Sequence, residues 1–366
     1  MKSSSLKMGS SNDAAVAAPG ARPRSLATLL AGYALVLLAT LALGSFWGEL
    51  QLTPAAVWSA LFEGAPVGDT RPTAFQLWRD LRLAPLLFAG AAGALLAGAG
   101  VVFQAALRNP LAEPYILGVS GGASLGVMVC QLAWPWVTAA ARAPEIGLTF
   151  GAFVGALGAV VLLLSIARWA RLNDPASLVL TGAVLNAIFG ALILFCYSLA
   201  PQRQVVASLL WLMGNTGFEV TLGTHVLRDT GIVLALGAVV LYGSSRSFDL
   251  LALGDDEAAD LGLSPRRFRA VALAGASLLT GMVVAMAGPI GFIGLVVPHV
   301  VRRLHGPAHR RLLPLSLLGG AVFLMIAHSL SRNAFPQVVP IGAVTALAGG
   351  PFFLFLLGAS RREPHS

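Results

Sequence analysis

The sequence predicts an all-α integral membrane protein with about ten transmembrane helices, and three observations carry that expectation. Of its 366 residues 57% are hydrophobic and only 11% charged, where a soluble domain carries about 25% charged residues. Apolar segments of about 20 residues recur along the chain, each long enough to cross a bilayer as a helix. Glycine is abundant, at 41 residues, as expected where membrane helices approach one another through small side chains. The alternating apolar and polar pattern of a β-barrel strand does not occur.

Taken in order, residues 1–24 are polar, basic and rich in Ser and Ala, and read as a disordered tail. Leu26–Leu43 is longer than the core of a signal peptide and is followed by more spans, so it reads as a first, uncleaved span. Residues 46–85 read as a long loop whose Trp47, Trp58 and Trp78 suit the membrane–water interface. A second span over 86–107 leads into Arg108-Asn109-Pro110-Leu111-Ala112-Glu113-Pro114. Further spans are expected over 116–134, 147–169, 176–199, 223–243, 270–287, 290–304, 312–330 and 341–358. The segment 200–222 is too polar to cross, and 361–366 forms a basic tail. Residues 25–360 thus form one membrane domain. Proline and glycine interrupt the backbone ladder, which makes Pro110, Gly288 and Pro289 candidate hinges, with ordinary packing kinks as the alternative.

The net charge of +8 is distributed as an orientation signal and not as a nucleic-acid surface. With ten spans, 17 of the Lys and Arg residues fall on the side of the termini and 7 on the other. The excess of positive charge marks the cytosolic side, which places both termini in the cytosol. Cys130 and Cys196 lie in apolar runs far apart and read as small buried residues, not as a disulfide or metal pair.

Between the sixth and seventh spans lies a charged stretch, Leu250 to Arg269. Its acids are Asp255, Asp256, Glu257 and Asp260, and its arginines Arg266, Arg267 and Arg269. Asp255 is expected to cap a short helix, with Asp256 and Glu257 in the first turn, where the macrodipole favours negative charge. Ala258 and Leu261 lie three apart on one face. Gly262 is the C′ residue that ends the helix, and Ser264-Pro265 caps and opens the next. A folded knob of this kind is either a solvated loop or a docking element for a cytosolic partner.

What the sequence lacks is also informative. No acid falls in the middle of a drawn span, whereas carriers coupled to ion gradients usually keep intramembrane carboxylates. The two lysines, Lys2 and Lys7, stand outside any glycine-rich loop, so no P-loop is present. Energy for uphill movement would have to come from another polypeptide. One catalytic pattern competes: Gly118-Val119-Ser120-Gly121 is a GxSG, the setting of an intramembrane serine protease, with His299 or His328 as base. A lone histidine in an apolar span is more often structural than a ligand.

Several segments, in order, resemble the FecCD-type permeases, the membrane subunits of bacterial ABC importers for iron–siderophores, haem and cobalamin. They are Leu81-Arg82-Leu83, Gln104 with Arg108 to Pro114, Leu117 to Ala123, Trp211 to Gly214 and Leu253-Gly254-Asp255 through Leu261-Gly262. Gly291 to His299, His309-Arg310, Leu313-Pro314, Pro340-Ile341-Gly342, Thr345 to Leu347 and Gly350 to Phe353 complete the series. The resemblance implies a type II ABC importer permease fold in the inner membrane. It implies a homodimer with the pathway at its interface, two copies of a P-loop ATPase below and a periplasmic substrate-binding protein above. It implies no cofactor, metal or catalytic residue in this chain. Gly254, Asp255, Glu257, Leu261 and Gly262 match the family's ATPase-coupling helices, and Arg82 and Arg332 match its outward arginines, which meet acids on the binding protein. Three outer positions depart from the family pattern: Pro85 stands where a second arginine is common, and His328 and Val338 where acids are usual. The implied cargo is an iron chelate (siderophore or haem), with cobalamin as the alternative.

Overall fold

The computed structural model describes residues 25–48, 53–63, 73–137, 144–171, 175–199, 211–214 and 224–360. The tails expected over 1–24 and 361–366, and most of the polar segment 200–222, lie outside these residues. The described chain is helical, with no strand among the described residues. Its helices are α1 Leu26–Phe46, α2 Pro54–Glu63, α3 Ala74–Trp78, α4 Ala84–Ala106, α5 Val119–Val137, α6 Pro144–Trp169 and α7 Pro175–Ser198. They continue as α8 Thr224–Gly243, α9 Ser245–Leu253, α10 Asp255–Asp260, α11 Pro265–Ala287, α12 Ile293–His305, α13 His309–Asn333 and α14 Ile341–Ser360. Among the described residues six helices are long and apolar enough to span a bilayer, or seven if α8 and α9, bent by 46°, count as one.

The bundle is built around α4. Its sequence, APLLFAGAAGALLAGAGVVFQAA, is apolar on every face, the mark of a helix enclosed by others. It is 94% buried over its most apolar window, and α13, α11, α12 and α8 pack against it. Small residues permit the approach: a Cβ placed on Gly93 would lie 2.2 Å from the Gly320 carbonyl oxygen of α13. One placed on Gly100 would lie 2.1 Å from the Gly294 carbonyl oxygen of α12. Helices α5 and α6 cross in the same way, Gly122 over Gly155 and Gly126 over Gly151. Lipid is as apolar as leucine, so such close contact and its dispersion energy hold the helices together where water-driven burial cannot. In contrast α1 presents Leu35, Val36, Leu38 and Leu43 outward, and only 6% of its apolar window is buried.

Two expectations are corrected. The stretch expected as a loop over 46–85 carries α2 and α3. Thr73 and Gln76 form a capping box that starts α3, and the chain then runs without interruption into α4. The junction Arg79–Leu83 is a π-turn. Pro85 has no N–H to give the carbonyl four residues back, and its ring crowds that carbonyl; the wider turn relieves both. Ala74–Ala106 is therefore one 33-residue rod. The second correction concerns the knob: α9 lies within the stretch between the expected sixth span and the charged segment, and turns the chain at Ser244 toward it.

Candidate functional site: a clamped knob and an apolar cavity

The knob is built from α9, Gly254 and α10. Gly254, at φ 146°, ends α9 and is the N-cap of α10. Asp255 is therefore the first residue of α10 and not its cap, and its side chain is used elsewhere. Arg269 of α11 donates Nη2–H to Asp255 Oδ1 at 2.8 Å and Nη1–H to Oδ2 at 3.3 Å. Arg108, at the end of α4, also donates to Asp255 Oδ1. The same two arginines reach carbonyls: Arg269 Nε to Ala106 O at 2.8 Å and Arg108 Nε to Leu251 O at 3.0 Å. One carboxylate thus ties the knob to α4 and α11. The hydrogen bonds from Arg269, with the charges of Arg269 and Arg108, hold the Asp255 carboxyl below its usual range against partial desolvation. A second tie joins α9 to α13, where Asp249 Oδ1 lies 2.7 Å from His309 Nδ1 and accepts from the His309 backbone N–H at 3.0 Å.

The end of α10 follows the sequence. Gly262, at φ 86°, donates to Ala259 O and Leu263 donates to Ala258 O, the paired bonds of a glycine-terminated helix. Ser264 then precedes Pro265 at the first turn of α11. Ala258 is fully buried, but Leu261 is 60% exposed. The expected common face is therefore wrong, because Leu261 is the C-cap, turned out of the helical register. Leu253, Asp256, Glu257, Asp260 and Leu261 form the open face of the knob. It is acidic with two exposed leucines. The Glu257 carboxylate folds back over Gly254, where an added Cβ would meet its Oε2 at 1.9 Å.

The break expected at Gly288-Pro289 is present. Gly288, at φ 70°, ends α11, and Phe292, at φ 71°, is the N-cap of α12. The non-helical link is locked to Trp211–Gly214, since a Cβ on Gly288 would sit 2.0 Å from Trp211 O. Trp211–Gly214 is bound in turn to the start of α14 through Ile341 N–H to Gly214 O and Gly342 N–H to Met213 O. These segments enclose an apolar cavity of about 240 Å³ lined by Tyr115, Leu212, Met213, Pro289, Phe292 and Ala346 with neighbouring backbone. Pro110 lies in the turn beyond α4, where Asn109 Oδ1 accepts from Leu111 N–H; it interrupts no helix.

Near the opposite end of α4, Arg82 donates to Asn333 Oδ1 at 2.9 Å and to Trp47 O at 3.3 Å. Arg332 is half-buried in the last turn of α13. The ring of His328, one turn back from Arg332, is buried. Phe335 and Val338 stand exposed beside them. Ser120 Oγ has no hydrogen-bond partner among the described residues, and the His299 ring packs against Phe352 at 5.7 Å. A Ser–His dyad needs its hydrogen bond, so the GxSG is a packing motif here: its Gly121 and Gly122 meet Asn186 and Gly155.

Sequence reasoning missed two buried polar groups. Gln104 is 3% exposed; it donates to Gly294 O at 2.9 Å and accepts from Arg302 at 2.7 Å, joining α4 to α12. Glu113 is 2% exposed in the loop after α4. Both lay within the quoted motif, but only the fold shows that the loop turns inward.

This architecture has known counterparts. A solved inward-facing conformation of a metal-chelate type ABC transporter superposes with a TM-score of 0.71 at 28% identity, covering 91% of this chain and 99% of that one. The hemin transport system permease protein HmuU of Yersinia pestis is 36% identical over 343 residues, 92% of this chain and 97% of its own. The Fe(3+) dicitrate transport system permease protein FecD of Escherichia coli K12 is 38% identical over 333 residues, 88% and 98% of the two chains. The vitamin B12 import system permease protein BtuC of Vibrio cholerae is 36% identical over 311 residues, 85% and 87%. The model of the FecCD transport family matches residues 34–359. A helical bundle around α4, a charged knob and the ordered motifs thus agree with these matches, and the chain belongs to the FecCD transport family.

Proposed function

We propose that this chain is the membrane-spanning permease subunit of an ABC importer that takes up an iron chelate, haem or ferric citrate being the classes its relatives name. One observation carries the reading: the knob is a folded, charged structure fastened to α4, α11 and α13, with an acidic face that the other described residues leave open. A loop that only joined two spans would need no such fastening. In this reading Gly254, Glu257, Leu261 and Gly262 shape or touch a P-loop ATPase, and Asp255 holds the contact face in place. ATP hydrolysis occurs in that partner, not here. Two permease chains pair, each crossing the inner membrane about ten times with both termini in the cytosol, and a substrate-binding protein docks at the Arg82 and Arg332 end. Gly288 and Pro289, in the non-helical link beside the cavity, are the candidate hinges, and Pro110, in the turn after α4, is a third.

The test is purification of the tagged chain from its host in mild detergent, followed by uptake with the recovered complex. A P-loop ATPase at equal stoichiometry and ATP-driven uptake of haem or ferric citrate are expected. Uptake of cobalamin alone would replace the cargo while keeping the importer. Recovery of a lone chain with no ATPase would overturn the reading.

A further inference from the structure

The observation is a fully buried acid with an unmet oxygen. Glu113 sits in the loop between α4 and α5, where its carboxyl accepts backbone hydrogen bonds from Ile116 of its own loop and from Phe292 at the N-cap of α12. Its Oε2 meets no donor among the described residues. Its Cγ lies against Gly294, where an added Cβ would stand 3.2 Å away. The carboxyl is therefore the plug between the end of α4, the loop and the opening turn of α12. It also backs the cavity, since Tyr115 and Phe292 both line it and their rings meet at 6.1 Å.

The surrounding charges do not compensate a carboxylate there. From its own loop the titratable neighbour is the Tyr115 hydroxyl, which burial and the Glu113 charge both push up. From α4 the near groups are Gly100 and Gln104, and from α12 Phe292 and Gly294. Across the cavity, Leu212, Met213, Pro340 and Ala346 carry no charge. The cations at this end are committed elsewhere: Arg302 to Gln104, Arg108 to Asp255 and Leu251 O, Arg269 to Asp255 and Ala106 O. Among the described residues no ion pair includes Glu113. Two backbone N–H groups favour the charged form, and complete burial opposes it.

We propose that Glu113 is a proton-binding site: a neutral carboxylic acid that carries its proton on Oε2 and holds the loop after α4 against the broken start of α12. Burial moves its titration up to about 8. Near neutral pH the wall behind Tyr115 and Phe292 is uncharged and can pack dry. When the proton leaves to water, one negative charge stands in that wall with no cation to meet it, and the junction loosens. The acid is thus spectroscopically and thermally visible in the permease itself, whatever cargo or partner the protein has.

The direction follows from linkage. The folded value lies above the ordinary 4.5, so the stabilisation is complete below pH 4.5, declines as pH rises toward about 8 and is gone above it. The experiment is a pair of pH titrations on the full-length chain in lipid nanodiscs, wild type and Glu113→Gln. Infrared spectra should show the C=O stretch of a protonated carboxyl in wild type, titrating with a midpoint near pH 8 and missing from Glu113→Gln. The wild-type melting temperature should fall between pH 5 and 8 and level off, while the Gln variant matches wild type at low pH and loses less of its stability over that range. A protonated-carboxyl band confined below pH 6, or equal melting profiles for the two proteins, would overturn the proposal. If Gln at 113 does not fold, the wild-type band still decides: present at pH 7 it supports the site, absent it rejects it.

Discussion

Replacing Asp255 by Asn keeps the shape of the side chain and removes the charge that two guanidiniums share. Three hydrogen bonds meet that carboxylate, two from Arg269 and one from Arg108. Bonds to a charged group contribute about 1.5–3 kcal/mol when shielded, and exposed ion pairs about 0.2–1 kcal/mol. Asp255 is 49% exposed at its side chain, Arg108 38% and Arg269 27%, so the exposed end of that range applies to Arg108 and an intermediate one to Arg269. The Asn amide recovers part of the bonding through its oxygen. The expected net loss is about 1–2 kcal/mol, localised in the knob, which corresponds to a roughly 5–30-fold rise in the open population. Hydrogen exchange read by mass spectrometry should show that acceleration for amides of 251–262 and little change within α4. In the reconstituted importer, ATP hydrolysis should persist while uptake falls. The carboxyl titrates below its ordinary value, so its contribution is present at neutral pH and is lost only as pH falls through the acid range, below about 3.8. The acceleration should therefore be the same at pH 6 and pH 8 once intrinsic exchange is corrected. Exchange of 251–262 unchanged in Asp255→Asn would refute the clamp.

Three further outcomes test other parts of the molecule. Gln104→Leu leaves the Gly294 carbonyl and Arg302 without their partner in a buried site, and should lower unfolding stability by about 2–4 kcal/mol in a detergent melt. Gly93→Ala gains about 1 kcal/mol of helix propensity but drives a Cβ to 2.2 Å from Gly320 O, a backbone atom that cannot swing aside; overpacking of about 1–3 kcal/mol should win, and a melt equal to or above wild type would contradict the crossing geometry. Arg332→Glu should weaken binding of the substrate-binding protein by about tenfold in a surface-binding assay, and unchanged affinity would remove Arg332 from the docking face.

The parts of this protein that were legible in the sequence are those set by local chemistry. Uncharged runs marked the spans, and each expected span has a helix within a few residues of its place. Gly262 and Ser264-Pro265 marked the end of one helix and the start of the next because a left-handed glycine and an N1 proline are local requirements. The Thr73–Gln76 capping box is a local signal too, but the five residues of α3 are too few to show a helical period. What could not be read depends on contacts far apart in the chain. Asp255 looked like a cap because its partners, Arg108 and Arg269, lie 147 and 14 residues away. The burial of Glu113 has no local signature, because it follows a helix end with Asn and Pro. The fold turns that loop inward, where the glycines of α4 and α12 leave room for it.

The continuous rod Ala74–Ala106 has a mechanical consequence. At 1.5 Å per residue it is about 50 Å long, against a hydrocarbon layer of about 30 Å. Arg82, near one end, grips Asn333, and the Ala106 carbonyl at the other receives Arg269 beside the knob. Displacement at one mouth of the protein is therefore delivered to the opposite mouth by a single stiff body. A tilt of about 5° about its centre moves each tip by about 2 Å, enough to break a hydrogen bond. The π-turn at Arg79–Leu83, which carries Arg82 itself, is the compliant point, so a load applied there or beyond it is softened, while one applied within α4 arrives almost in full.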